Sequence, residues 1–327
     1  MKNKVLETIS KYNLIEPGDK IVLGVSGGPD SISMLNILNE IKNEYGFEIY
    51  VAHINHMIRE EAIEDENYVQ KYCEQKNIQC FIKRIDVQQI AHEQKIGTEE
   101  AGRNIRYEFF EEVLHNVGAN KIAIAHNKND KIETIIMNLL RGSGLSGLKG
   151  IEAVRDNKFI RPLIECERKE IEQYCEEQKL NPRIDKTNFE NDYTRNKIRN
   201  IVIPYIKEEF NPNIIETMDR LSQVATDESD YIELQTLKAY QKLLLEKTDE
   251  QIILKLKEFN EQEKVIKSRI LLQTVKELMG STQRIEKIHI EDIIKLCANN
   301  VGNKFLTPNK NIKFLVKDKR LYVRKNI

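Results

Sequence analysis

The sequence predicts an α/β fold: a parallel sheet covered by helices on both faces, then a mainly helical region ending in short basic strands. Three observations carry this. Across residues 20–179, β-branched runs alternate with stretches of helical period. After "NPN" at 211–213 the strand pattern stops. From residue 304 onward, apolar and basic residues alternate at the period of a strand.

The elements follow in order. "MKNKVLETISKYNLI" reads as a short amphipathic helix. "KIVLGVS" is the first strand, and residues 30–44 follow with Ile32, Leu35, Leu38 and Ile41 near helical spacing. "EIYVAHINH" is a second strand, followed by a polar helix over 61–77. "QCFIKRIDV" is a third, before a helix over 99–117, and "KIAIAHN" a fourth, before a helix over 129–141. "FIRPLI" adds a strand ahead of a helix over 167–179. The pattern change places a boundary between a first domain, 1–210, and a second, 211–327, in which residues 213–300 read as helical. Parallel sheets bind ligands beyond the carboxyl ends of their strands. Ser26 to Ser31, His53 and His56, and His126 to Asp130 each follow a strand there.

Composition narrows the class. Hydrophobic residues at 40%, charged residues at 31% and a net charge of −1 place the chain among globular proteins rather than disordered ones. No apolar run reaches the roughly 18 residues that span a bilayer. The charged N-terminus has no apolar core or small-residue cleavage site, so a cytoplasmic location with no membrane partner is expected. Five cysteines, dispersed and without any C-x-x-C pair, read as reduced thiols rather than as a metal or disulfide framework.

The segment "GVSGGPDSISML" at 24–35 carries the chemistry. A phosphate-binding loop needs exposed backbone N–H groups, little side-chain bulk and a helix N-terminus to follow. Gly27 and Gly28 admit close approach, Ser26 and Ser31 bring hydroxyl donors, and Pro29 suits a first helical position. Asp30 either caps the helix or holds a Mg²⁺ against the phosphates. The Gly-Lys-Ser/Thr ending of a Walker A loop is absent, and the glycine spacing is not G-x-G-x-x-G.

"SGGPDS" resembles the pyrophosphate-binding (PP) loop, S-G-G-x-D-S, of the N-type ATP pyrophosphatases. That resemblance implies a Rossmann-like domain of the adenine nucleotide alpha-hydrolase type. It also implies ATP cleavage between the α and β phosphates, with adenylation of a substrate oxygen. Three further segments, "AHINHMIR", "GTEEAGRNIRYEFF" and "AHNKNDKIETIIMNLLRGSGLSGLKGI", resemble the tRNA(Ile)-lysidine synthetase family in order and spacing, as do "RPLIECERKEIEQYC" and "DKTNFENDYTRNKIRNIVIPYI". The resemblance is close over residues 18–210 and looser beyond.

That family's reaction implies ATP with Mg²⁺, free L-lysine and a tRNA(Ile) bearing a CAU anticodon as ligands; a homodimer is allowed. The wobble cytidine is adenylated on O2, and lysine's ε-amine then displaces AMP from C2. Lysine's ammonium, which ordinarily titrates near pH 10.4, must lose a proton to attack. A carboxylate is therefore required beside it, and cations beside the leaving phosphate. His126, Asp130 and Glu133 lie at i, i+4 and i+7 and match the family's active-site positions; Asp130 and Glu133 are assigned to the amine and its proton. Asn129 and Lys131 stand where the family has Asp and Gln, which weakens any role for those two and leaves His126, Asp130 and Glu133 matched. Arg106 and Arg199 are assigned to ATP phosphates or the adenylated intermediate, since a guanidinium bridges two oxygens. Arg103 and Arg195 are assigned to tRNA, and His53, with the loop residues, to the nucleotide.

Residues 304–325 hold eight Lys or Arg against the single acid Asp318. Lys313, Lys317 and Arg320 are expected to meet tRNA phosphates; the alternative is Lys protection of an exposed hairpin edge. A PP-loop tRNA cytidine thiolase is disfavoured by the absence of cysteine pairs, and a glutamine-fed ligase by the absence of a glutaminase segment. A non-catalytic ATP-binding module would need the loop but not the carboxylates and arginines.

Overall fold

The structure is a computed structural model in which residues 1–57, 62–183, 191, 193–282, 284–299 and 304–326 are described. Ile58 and Arg59 of "AHINHMIR" and most of "DKTNFEND" lie outside these. The chain divides into two compact units, Met1–Ala225 and Thr226–Ile327.

In the first unit, β1 (Lys20–Gly24), β2 (Glu48–Asn55), β3 (Cys80–Arg84), β4 (Lys121–Ile124), β5 (Val154–Arg155) and β6 (Phe159–Ile160) form a six-stranded sheet in the order β3-β2-β1-β4-β6-β5. All pairings are parallel except β5 with β6. Around the sheet run α1 (Lys2–Lys11), α2 (Pro29–Tyr45), α3 (Ala62–Gln75), α4 (Val87–Gln94), α5 (Thr98–Val117), α6 (Lys128–Leu140), α7 (Leu145–Leu148) and α8 (Arg168–Glu177). On one face Ile21, Leu23 and Val51 pack with Leu35 and Leu38 of α2, Val69 of α3 and Ile171 of α8. On the other, Val22, Ala52 and Ile122 pack with Phe109, Phe110 and Val113 of α5. Both faces of the central strands β1 and β4 are buried, which is why these read as nearly continuous apolar runs.

Two details depart from the sequence reading. Helix α4 was not expected; Asp86 caps it by accepting from the Gln89 amide at 3.0 Å. The strand expected over "FIRPLI" is only Phe159–Ile160, because Pro162 has no N–H for a ladder.

Beyond α8, α9 (Thr194–Lys197) runs through a π-helical turn, Ile198–Val202, into α10 (Ile203–Glu209). Ile198 and Ile203, five apart, both join Ile132, Ile135 and Ile136 of α6 in one cluster. In an α-helix that spacing would separate them by about 140°; the π turn brings them to one side. Helix α11 (Ile214–Leu243) contains the division between the units, beyond the 210/211 boundary that the loss of strand pattern suggests.

The second unit holds β7 (Leu244–Lys247), β8 (Gln251–Lys255), α12 (Leu256–Asn260), α13 (Lys264–Met279), α14 (Lys287–Asn299), β9 (Lys304–Asn309), β10 (Ile312–Lys317) and β11 (Arg320–Lys325). Its antiparallel sheet runs β7-β8-β11-β10-β9. The reading of residues 213–300 as helical is therefore corrected at β7 and β8. β7 and β8 hold Leu, Lys, Glu and Gln, good helix formers, and the pairing of β7 with β8 and of β8 with β11 overrides that propensity. Phe314, Val316, Leu321 and Val323 fill the core under α13 and α14. Among the described residues no helix is long and apolar enough to cross a membrane.

Candidate functional site

Strand β1 lies between β2 and β4, with Gly24 in register with both Ala52 and Ile124. The strand order reverses here, and such a reversal opens a crevice at the carboxyl ends of the strands. The loop after β1 and the start of α6 meet in it: Asn127 Nδ2 donates to Asp30 Oδ1 at 3.0 Å. His53, at the end of β2, joins them through its Nδ1, 2.8 Å from the Val25 carbonyl.

The three glycines have three different reasons. A Cβ on Gly24 would lie 2.5 Å from the Phe110 ring, so this glycine serves sheet-to-helix packing. Gly27 has φ +94°, which an L side chain rarely adopts. Gly28 has an ordinary backbone (φ −76°), and a Cβ there would meet only Ser26 Oγ at 3.6 Å and the Arg183 carbonyl at 3.8 Å. Among the described residues, no contact requires a glycine at position 28. Gly28 is the N-cap of α2 and Pro29 opens the helix. Asp30 is therefore not the cap; it sits in the first turn. Ser31 Oγ accepts from the Ser26 and Gly27 amides, both at 3.2 Å, and donates to the Gly28 carbonyl at 3.0 Å. Ser31 thus shapes the loop from within.

Opposite the loop is a lattice of acids and arginines. Asn127 and Asp130 form a capping box at the start of α6. Arg199 reaches Glu133 through Nε at 2.7 Å and Nη2 at 2.8 Å, and Asp130 Oδ1 at 3.0 Å. Arg195 donates to Glu133 Oε2 at 2.9 Å, and Arg168 adds contacts at 3.5 Å to Glu133 and 3.7 Å to Asp130. Glu133, 1% exposed, has its acceptor positions filled by guanidinium groups. Among the described residues, Asp130 Oδ2 accepts only the Asn127 amide, at 3.1 Å. Burial would lower Arg199, but Glu133, Asp130 and Asp30 carry it above its ordinary value. Burial and then the Asp130 charge push the Asp30 carboxyl up to about 6.

A wall of cations completes the crevice. Crowding away from water lowers Arg106, and Arg103 and Arg195 add repulsion. Arg103 also lies over the Tyr107 ring at 5.5 Å. His126 Nδ1 takes a hydrogen bond from Arg161 Nε at 3.2 Å. Burial pushes His56 down to about 4, with Arg106 and His53 adding to it, and its Nδ1 is buried without a partner. His53 is lowered by burial as well. With Nδ1 donating to Val25, its Nε2 is a bare acceptor, also buried without a partner.

The crevice therefore joins most of the residues singled out in the first domain: Ser26 to Ser31, His53, Arg106, His126, Asp130, Glu133, Arg195 and Arg199. Lys313, Lys317 and Arg320 lie in the second unit, on β10 and β11. Arg161, Arg168 and Asn127 were missed. Only the nearness of Arg161 to Pro162, at the end of a sheet strand, could have drawn notice to it. The two departures from the family wording are structural: Lys131 Nζ forms a buried pair with Asp219 at 2.8 Å, and Asn129 Oδ1 accepts the Arg168 amide at 3.0 Å. Among the described residues, no three His, Cys, Asp or Glu side chains cluster as a metal site.

Comparison with known proteins gives the following. Residues 1–206 match the family description of a PP-loop domain. The chain is 47% identical over 311 residues to a tRNA(Ile)-lysidine synthase of Clostridioides difficile (strain 630), covering 95% of this chain and 67% of that one. It is 48% identical over 310 residues to the protein of the same name in Clostridium acetobutylicum, covering 94% and 67%. With that of Caldanaerobacter subterraneus subsp. tengcongensis the identity is 43% over 309 residues, covering 94% and 66%. The chain thus spans about two thirds of the length of these relatives. Among solved structures, the U34-tRNA thiolase of Methanococcus maripaludis aligns with a TM-score of 0.55 at 19% identity, covering 68% of this chain and 77% of that one. That likeness is one of fold.

Proposed function

The chain belongs to the tRNA(Ile)-lysidine synthases, and we propose that it uses ATP to join free L-lysine to C2 of the wobble cytidine in the CAU anticodon of tRNA(Ile). The product is lysidine, with AMP and pyrophosphate released, and the anticodon then reads AUA in place of AUG. We place the reaction in the cytosol.

The carrying observation is the acid–arginine lattice directly across from a loop in which, among the described residues, no contact requires Gly28. ATP fits the loop by its lack of bulk and the crevice by its surplus of arginine. The bare Nε2 of His53 awaits a donor such as a nucleoside N–H or O–H. Asp30 would hold a Mg²⁺ together with the phosphates, the usual one-carboxylate arrangement for that ion. Such an ion would neutralise charge that develops as pyrophosphate leaves.

In the first step O2 of the cytidine attacks the α phosphorus and pyrophosphate departs. Arg106 and Arg199 face the charge on the phosphates. In the second step the ε-amine attacks C2, the C2–O2 bond breaks, and AMP leaves with the electron pair. Asp130, with Oδ2 lightly engaged, takes up the amine and its proton. Glu133, which the sequence pairs with it in this role, instead keeps Arg195 and Arg199 aligned.

The sheet of the second unit supplies tRNA affinity. Lys313 stands directly opposite Arg324, and Lys317 opposite Arg320, on the face away from the core. Like charges so placed are destabilising unless an anion lies over them. β10 and β11 are interior strands, so protection of a hairpin edge is not their reason. Phe305, 4.0 Å beneath Lys313 Nζ, and Tyr322, beneath Arg324, add stacking surface.

Incubation with unmodified tRNA(Ile), ATP and lysine, followed by mass analysis of the nucleosides, tests the reading. Lysidine is the expected product, formed only when all three are present. Unmodified cytidine, or a sulfur-containing product when a sulfur donor is supplied, would overturn it.

A further inference from the structure

Arg161, just after β6, is 4% exposed. Its Nη1 donates to the Glu152 carbonyl and its Nε donates to His126 Nδ1 at 3.2 Å. A guanidinium has donors and no acceptor. His126 Nδ1 must then be the acceptor, so the proton of the neutral ring sits on Nε2. Protonating the ring would set an N–H against an N–H.

The charged groups facing this imidazole act the same way. Arg161 comes from the end of β6, Arg195 from α9, and Arg103 and Arg106 from α5, and all four are cations. Burial first, then these charges, hold His126 well below its ordinary value. Around Arg161 itself burial is the largest influence; Tyr107 and the Glu152 carboxylate favour its charge and Arg155 opposes it.

We propose that Arg161 is a positioning residue that fixes His126 as a permanently neutral imidazole presenting Nε2–H to the reacting groups. This rests on the lysidine synthase reading of the crevice and sharpens it. His126 donates a hydrogen bond to a phosphate or cytidine oxygen and exchanges no proton, so the amine's proton goes to Asp130. Its place four residues before Asp130 does not make it the general base.

The test begins with the full chain labelled with ¹⁵N-histidine, in which six rings report and the His126→Gln variant identifies one. His126 in the native protein is expected to show a protonated Nε2 and a bare Nδ1, unchanged from about pH 5.5 to 8.5. In Arg161→Gln the amide oxygen can accept from Nδ1, so the ring should titrate in that range and lose its single tautomer. The rate of pyrophosphate release should fall about tenfold or more, with KM for ATP unchanged, as for a misplaced reacting group. Arg161→Lys, which keeps a donor and a charge, should restore the tautomer and most of the rate.

A native His126 that titrates near its ordinary value, or carries its proton on Nδ1, overturns the proposal whatever the variants do. So does a folded Arg161→Gln whose rate falls while the His126 signals stay put, since Arg161 would then only pack. The ring signals need no turnover, so a chain that makes no lysidine would count against the function and leave this assignment to be decided by the spectra.

Discussion

Around α6, three arginines converge on two carboxylates, whereas on β10 and β11 four cations face one another in opposed pairs. Among the described residues none of those four pairs with a carboxylate. The two regions are both rich in Lys and Arg, but they differ in what holds the charge in place. Buried, mutually hydrogen-bonded ions add little net stability, and their shared hydrogen bonds hold each group in one place. Open, unpaired cations fix no geometry and respond to salt. The first arrangement suits bond-making and the second suits holding a polyanion.

The largest expected effect breaks the first region alone. Gly28→Val places bulk where the phosphates would pass and should reduce ATP binding by about a hundredfold or more. Gly28→Ala tests the same point with a Cβ alone, whose contacts at 3.6 and 3.8 Å are ordinary, so its Tm should stay within a degree or two. Normal ATP binding by a folded Gly28→Val protein would remove the loop from the mechanism.

Asp130→Asn should act within the chemistry. It keeps the shape of the capping box and should slow lysine transfer by roughly 10²–10⁴-fold, while adenylated tRNA still accumulates. Trapping that intermediate separates the steps; equal loss in both would move Asp130 to the ATP.

Neutralising Lys313, Lys317 and Arg320 together breaks the second region. The slope of log affinity for tRNA against log salt should flatten by about two to three units, near one for each phosphate no longer neutralised. ATP affinity should not change. An unaltered slope would return tRNA binding to the arginines of the crevice.

The smallest effect separates charge from fold within the first region. The Asp30 carboxyl is raised to about 6 in the folded protein against an ordinary 3.8, so its proton binds more tightly folded than unfolded. Its contribution to stability is complete below about pH 3.8 and is lost as pH rises through about 6. Asp30→Asn should therefore raise Tm at pH 7.5 by roughly 2–4 °C, the response of a unit this size to about 1 kcal/mol, while impairing ATP use. A melting profile in which the variant gains equally at pH 3.5 and 7.5 would contradict this.

The sheet of the first unit was legible because burial on both faces writes itself as β-branched runs, and Ser26 to Ser31 because so few folds need that wording. β7 and β8 were not, since Leu, Lys and Glu favour helix and it is the distant β11, pairing with β8 as β8 pairs with β7, that makes them strands. The positions of Asp130, Glu133, Arg195 and Arg199 could be read; their mutual saturation could not, because it joins α6 to α9 and the turn after it across more than sixty residues. Arg161 was invisible for the same reason, with its partner 35 residues away.

The π turn at Ile198–Val202 gives this helix one residue more than its contacts need. Removing one residue there would return the helix to α and leave Ile203 facing nearly the same way relative to Arg195, because the wide turn spends that residue locally. A second removal would rotate Ile203 by about 100°, and the chain could then keep the arginines on Glu133 or Ile203 against Ile132 and Ile135, but not both. Ile201 is 52% exposed, so a lineage should tolerate a single gap at that position and no more.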